Sequence, residues 1–155
     1  MAAGPFTVLD VALEKFGEEV FNLDSDAFQV VLTTQAQALA AAFTGASGQA
    51  LYSDLTAEVE GAGYEAGGEP RTGASWSRAG AVVTFAAAST TWEALTATMK
   101  YAVVVRSDGG SPPALADILG FADLEQADPA GRTSAGGDFI INWTGGLFTI
   151  TRVDP

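Results

Sequence analysis

The feature that most constrains the fold is a glycine-dense segment at residues 58–68, EVEGAGYEAGG, which lies between two runs of β-type sequence. Glycine adopts backbone conformations with positive φ and lets another backbone approach closely, so the segment predicts tight turns and close backbone packing. A phosphate-binding loop is disfavoured, because it needs a terminal Gly-Lys-Ser/Thr or a flanking βαβ unit, and four nearby glutamates would repel phosphate. The segment predicts a turn-rich β protein and carries no catalytic chemistry.

The length of 155 residues fits one domain with a substantial core. Hydrophobic residues make up 48% of the chain and charged residues 17%, which is the profile of a compact protein and not of a disordered one. We predict an N-terminal arm and helix over 1–21 and a single β-rich domain over 22–155.

The charge excludes several classes of partner. A net charge of -12 and a pI of about 4.1 would repel a nucleic-acid backbone and an anionic membrane face.

The chain contains no cysteine and no histidine, which removes disulfides, thiolate metal sites and the usual catalytic triads. It shows no signal peptide and no apolar run near the roughly 20 residues that span a bilayer, so we expect synthesis in a cytoplasm.

Residues 6–20 have the pattern of one amphipathic helix. Leu9, Leu13, Phe16 and Val20 recur at helical spacing, and Thr7-x-x-Asp10 has the form of a capping box. The Ala-rich residues 35–50 fit either a short helix or an ordered loop, and residues 51–59 fit a short helical turn.

The remaining chain predicts strands. Alternation indicates strands at 28–33, 81–85 and, most clearly, 96–106, where both faces become apolar and predict a central strand. Residues 114–119 fit a strand or a helix, and residues 126–137 read as a loop. The chain ends in a predicted hairpin, 138–143 with 147–152. Together these elements predict a mainly β, antiparallel β-sandwich or jelly-roll-like domain with an N-terminal amphipathic helix.

No residue is predicted to act as a catalyst or to bind a cofactor or metal. Asp24-x-Asp26 lacks the further ligands of a calcium loop and is better explained by turn hydrogen bonds. Nineteen acids could form catalytic pairs, but no spacing distinguishes one, so we expect no enzyme. Lys100 and Arg106 are expected at the surface or an interface, in ion pairs.

Four residues are candidates for an interface: Phe6, Phe16, Tyr64 and Trp76. Phe6 and Phe16 belong to the N-terminal arm and helix. Tyr64 lies on the glycine-rich loop, where it could anchor a partner or cap its own core, and both interpretations stay open. Trp76 has polar neighbours and could face a partner or a glycan, whereas Trp143 is expected in the core.

An ordered set of motifs resembles the small virion structural proteins of tailed bacteriophages. These are a helix followed by Asn22-Leu-Asp-Ser-Asp26, a strand containing Val30-Val-Leu32, the segment 58–68, Trp92 before a strand with Tyr101-Ala-Val-Val104, and the closing stretch Gly137-Asp-Phe139 to Trp143 with Leu147 to Ile150. The resemblance covers most of the chain in order. The chain departs from the family in its Ala-rich insert at 35–50 and in a lengthened segment at 120–136.

The resemblance implies a capsid decoration, or cement, protein without catalytic residues. Such a protein binds the major capsid protein on the capsid exterior as a homotrimer and stabilises the expanded lattice, after synthesis in the bacterial host cytoplasm. The alternative that it implies is a tail, neck or fibre-associated virion protein.

Overall fold

The computed structural model describes residues 4–40, 43, 49–143 and 146–151. The chain is mainly β, and all of its paired strands in the described residues are antiparallel, an arrangement consistent with a β-sandwich. The elements are β1 (Phe6–Val8), α1 (Asp10–Gly17), β2 (Ala27–Thr33), a 3₁₀ turn (Tyr52–Asp54), β3 (Glu69–Arg71), β4 (Ser75–Ala79), β5 (Val82–Ala86), β6 (Thr90–Met99), β7 (Tyr101–Ser107), β8 (Ile118–Asp123), β9 (Arg132–Ile141) and β10 (Phe148–Thr151).

The largest sheet has five strands in the order β1-β8-β7-β2-β3. The predicted central strand is confirmed in β7, whose residues from Ala102 to Val105 have no exposed surface. The predicted strand at 28–33 is confirmed in β2, and residues on both of its faces are buried. Gln29 is therefore buried too, and its side-chain amide donates to the carbonyl of Gly110 at 2.8 Å.

The predicted single strand at 96–106 is wrong, because the chain turns at Lys100 and its two halves enter different sheets. β6 pairs with β9 in a two-stranded sheet, whereas β7 enters the five-stranded one. Lys100 is buried, and its ammonium group binds the carbonyl oxygens of Glu125 and Asp128 and the carboxylate of Asp123. The ion pair with Asp123 confirms the pairing predicted for Lys100, but its burial shows that the expected surface position is wrong.

The third sheet has the order β10-β5-β4. Both strands of the predicted C-terminal hairpin form, but they do not pair with each other. β9 pairs with β6, and β10 pairs with β5. β9 also begins at Arg132, so part of the predicted loop at 126–137 is a strand. The turn proposed between the two strands lies partly outside the described residues.

The N-terminal prediction needs correction at its start. Phe6–Val8 forms an edge strand on β8, and the helix is limited to Asp10–Gly17. The predicted capping box is wrong, because Leu9 is the N-cap residue and no side chain caps the helix. Leu13, expected on the buried stripe, is 53% exposed, whereas Ala12 is buried.

Two other segments have simpler outcomes. The undecided residues 114–119 lead into β8, which starts at Ile118. The Ala-rich residues 35–50 lie partly outside the described residues. A 3₁₀ turn at Tyr52–Asp54 confirms the short helical turn predicted within 51–59.

The close backbone packing predicted for the glycine-rich segment is confirmed, and the segment packs against β6 and β2. Ala62 forms a bridge with Thr96 of β6, and Gly61 lies so close to the Thr96 carbonyl that a Cβ would overlap it. Gly68 has a φ of 74° and would bring a Cβ into the carbonyl of Val30. Close backbone approach therefore explains why glycine is needed here.

Candidate interaction site

Three of the four predicted interface residues meet around Phe148. The ring centroid of Phe148 lies 6.5 Å from that of Phe6, 6.0 Å from that of Phe16 and 6.1 Å from that of Trp76. Phe85 completes the cluster at 5.5 Å. The separations are those of favourable aromatic pairs, so the cluster joins β1, α1 and the three-stranded sheet.

The strand register explains how this cluster forms. Trp76 lies opposite Phe85, which lies opposite Phe148, so one aromatic row crosses the three-stranded sheet. Two residues farther along, on the same face, Val83 lies between Arg78 and Ile150. Phe85 is fully buried, whereas Ile150 is 51% exposed, so this face extends beyond the core.

The extension creates a groove with a volume of about 480 Å³. Trp76 and Ile150 form the wall on the three-stranded sheet. Phe16, Phe21 and Leu23, from α1 and the connection to β2, form the opposite wall. Trp76 is 37% exposed, so the groove presents apolar surface to solvent, and we name it the α1 groove.

The polar lining of the α1 groove consists of Glu19, Asn22 and Asp24. Glu19 follows the helix with a φ of 59°, a left-handed conformation that glycine or asparagine adopts more readily. The side-chain oxygen of Asn22 accepts from the backbone N–H of Asp24 at 3.2 Å. Among the described residues that line the groove there is no lysine or arginine.

Local hydrogen bonds also explain the Asp24-x-Asp26 motif. Asp26 accepts from the backbone N–H of Asn22 at 2.8 Å, which is the turn role predicted for this motif. Within the described part of the chain, no group of three or more histidine, cysteine, aspartate or glutamate residues is placed to hold a metal ion.

Arg106 contacts Phe21, a residue of the groove wall, and its guanidinium is engaged by neighbouring groups. Its guanidinium is 5.9 Å from the ring centroid of Phe21, donates to the carbonyl of Val20 and lies 3.6 Å from the carboxylate of Asp117. The ion pair confirms the prediction made for Arg106. Lys15 of α1 bonds to the same aspartate.

Tyr64 lies in a different place, where its hydroxyl joins a network centred on Glu58. The hydroxyl donates to Glu58 Oε1 at 2.7 Å and accepts from the backbone N–H of Leu32 at 3.2 Å. Tyr52 donates to Glu58 Oε2 at 2.7 Å, and Gly67 N–H donates to Oε1 at 2.7 Å. Burial, followed by the hydrogen bond to Glu58, raises the pKa of both tyrosines well above the ordinary value.

An acidic pocket lies beside Tyr64. Glu65, Glu69 and Glu93 line it together with the glycine-rich turn. Burial raises the pKa of Glu69 above its ordinary value, and the neighbouring charges of Glu65 and Glu93 raise it further. The carboxylates of Glu65, Glu69 and Glu93 therefore repel one another in this pocket.

Arg71 is a buried cation held by aromatic rings. Its guanidinium lies 4.7 Å from the ring centroid of Phe28 and 4.4 Å from that of Phe85. One nitrogen donates to the carbonyl of Ala86 at 3.3 Å, and the other two have no hydrogen-bond partner among the described residues. Burial lowers the pKa of Arg71 to about 10.

Trp143 lies in the core, as predicted. It is buried, and its indole N–H donates to Thr90 Oγ1 at 3.1 Å. Trp92 has no exposed surface. Trp76 is therefore the tryptophan among the described residues that keeps substantial exposure.

The sequence reasoning missed most of the α1 groove. Phe148 and Ile150 are two residues apart in the predicted last strand, and this spacing indicates that they share a face. The sequence paired that strand with 138–143, whereas in the structure it pairs with β5. Phe21, Leu23 and Glu19 had no signal of their own, because their role depends on the approach of the three-stranded sheet.

No helix within the described residues is long and apolar enough to cross a membrane. Comparisons of the chain with protein-family models, with curated proteins and with solved structures give no match.

Proposed function

We propose that this chain is a phage capsid decoration protein. It binds the major capsid protein on the outer surface of the head, as a homotrimer, and stabilises the expanded lattice. It acts by binding and not by catalysis. In this proposal it is made in the bacterial host cytoplasm and ends on the virion exterior, and its sheets and helix form a jelly-roll-like unit.

The convergence of Phe6, Phe16 and Trp76 on one cluster is the observation that carries the proposal. The sequence alone indicates these residues as contact candidates, and they come from three separate elements. The cluster opens into an apolar groove that presents Trp76 and Ile150 to solvent. An exposed aromatic next to a pocket is a common anchor in protein interfaces. The ordered resemblance to small virion proteins supports the same role.

Stabilisation of a capsid follows from mass action. A protein that binds the expanded lattice, but not the disrupted one, favours the expanded state by RT ln(1 + [L]/Kd), or about 2.7 kcal/mol per site at a concentration of 100 Kd. The net charge of -12 suits this position, because an acidic protein does not capture the anionic genome during packaging.

The test is the thermal stability of heads with and without the chain. Heads assembled without the protein should lose their DNA at a lower temperature than complete heads. Addition of the purified protein should restore the higher temperature in a concentration-dependent manner. Equal stability with saturating protein bound, or no binding at all, would reject the proposed role.

A tail, neck or fibre-associated role is the second candidate. The observation that favours it is the exposed indole of Trp76 beside Asn22 and Asp24, since aromatic rings with nearby amide and carboxylate groups suit a sugar. Binding to a host glycan in a glycan array, lost in a Trp76→Phe variant, would support this role over decoration.

A further inference from the structure

The α1 groove has the form of a docking site for a side chain. Its walls are apolar, and they belong to two units, the three-stranded sheet on one side and α1 with its following turn on the other. Phe21 and Leu23 line it together with Trp76 and Ile150. An apolar side chain placed between them would bury surface that now faces water.

The charge of the α1 groove indicates which charge a bound segment should carry. Glu19 and Asp24 lie in the groove, and its described lining has no basic residue. The whole chain, these two residues included, carries a net charge of -12. A segment carrying lysine or arginine is therefore attracted to the groove, and an acidic segment is repelled.

The backbone at Glu19 provides a second and independent observation. A glutamate at a φ of 59° has a strained backbone, and glycine would adopt the same conformation without that strain. The local fold alone therefore does not explain why this position holds glutamate and not glycine. A role for its carboxylate in the groove supplies a reason. The idea makes a distinctive prediction, because replacement by glycine should help the fold and harm the binding.

We propose that the α1 groove binds a segment of the major capsid protein that presents one apolar side chain flanked by lysine or arginine. The apolar side chain lies between Trp76 and Ile150 on one side and Leu23 on the other. Its basic neighbour pairs with Glu19 or Asp24. This inference rests on the proposed function, and the binding experiment distinguishes a failure of the inference from a failure of that function.

The experiment measures the binding of purified protein to heads assembled without it, by co-sedimentation over a range of salt concentrations. The groove variants are Ile150→Ser, Glu19→Gly and Asp24→Asn. Leu115→Ser is the matched apolar control, since Leu115 is 75% exposed and does not line the groove. Asp108→Asn is the matched charge control at another exposed turn.

We expect Ile150→Ser and Glu19→Gly each to weaken binding by about tenfold or more, while both controls bind as the wild type does. Glu19→Gly should have an unchanged or higher melting temperature. Removal of Glu19 or Asp24 should also reduce the dependence of binding on salt, because their pairs are screened by ions.

The outcomes are distinct. If the wild type and all the groove variants bind the heads equally, the inference is wrong and the proposed function stands. If the wild type does not bind at all, the proposed function fails, and the inference falls with it. If Glu19→Gly loses binding and also melts at a lower temperature than the wild type, Glu19 has a structural role and the assignment to its carboxylate is wrong.

A peptide array identifies the segment. Overlapping peptides of the capsid protein should bind the wild-type protein where an apolar residue is flanked by lysine or arginine. Replacement of those basic residues by glutamate should abolish binding. Binding confined to acidic or uniformly polar peptides would overturn the proposed chemistry.

Discussion

At the scale of single residues, Glu58 organises the glycine-rich turn. Both of its carboxylate oxygens accept from tyrosine hydroxyls, and one also accepts from the backbone of Gly67. A carboxylate is suited to this, because it has acceptor sites for several donors at once. Glu58 therefore joins Tyr64 and Gly67 within the segment and ties the segment to Tyr52 outside it.

Replacement of Glu58 by alanine should lower the free energy of unfolding by about 2 kcal/mol, since three donors lose their acceptor in a partly buried place. Urea unfolding measures the change. Glu60→Ala is the control, because Glu60 is exposed on the same segment, and it should have little effect. Equal effects of the two substitutions would contradict the role assigned to Glu58.

The same network predicts a loss of stability in alkali. Tyr52 and Tyr64 have pKa values raised above those of the unfolded chain, so the folded state holds more protons above about pH 10. Their contribution is therefore complete below that pH and is lost as the pH rises toward the folded-state pKa values. The double variant Tyr52→Phe/Tyr64→Phe should show a shallower fall in unfolding free energy between about pH 10 and 11. An unchanged slope would disprove the linkage.

Gly68 tests the close approach of the turn to β2. Alanine at this position would have a positive φ and a Cβ overlapping the Val30 carbonyl, so we expect Gly68→Ala to cost more than about 2 kcal/mol. Gly110→Ala is the control, because a Cβ there meets nothing within 4 Å. Thermal unfolding of both variants gives the comparison, and a mild effect at Gly68 would show that the turn can move.

At the scale of elements, the corner at Lys100 shows what the sequence could and could not predict. Alternation identified the apolar faces of β7 and its central position. It did not show that the strand breaks at Lys100, because the break depends on carbonyls and a carboxylate supplied from residues 123–128. Ligands so distant in sequence leave no local pattern.

Replacement of Lys100 by methionine should cost about 3 kcal/mol, because it leaves Asp123 and two carbonyl groups without their cation. Arg78→Met is the control at an exposed cation, and it should change stability by less than about 1 kcal/mol. Chemical denaturation of the two variants measures both values. A small effect at Lys100 would mean that β6 and β7 are held at the corner by other contacts.

Strand pairing was the other limit on prediction. The sequence locates β5, β9 and β10 approximately, but it predicts that the last two strands pair with each other as a hairpin. In the structure β10 pairs with β5 and β9 with β6. This pairing brings Phe148 beside Trp76 and forms the α1 groove. Type and position in the sequence indicated the candidate residues, whereas the aromatic cluster that joins Phe6, Phe16 and Trp76, and the groove lined by Phe16 and Trp76, depend on strand pairing that the sequence did not indicate.

At the scale of the whole molecule, acidic charge and one apolar groove give the chain its proposed binding role. The net charge of -12 repels other anionic surfaces. The groove has an apolar lining and two carboxylates. The carboxylates attract a basic segment at a distance, and the apolar lining buries an apolar side chain on contact. A capsid subunit that presents an apolar residue among basic ones meets both requirements.

The most direct measurement is the copy number of this chain in purified virions, by quantitative mass spectrometry against the major capsid protein. A decoration protein should be present at a ratio near one to one. A ratio of a few per hundred would contradict decoration and move the protein to the neck or tail, and its absence from virions would reject both roles.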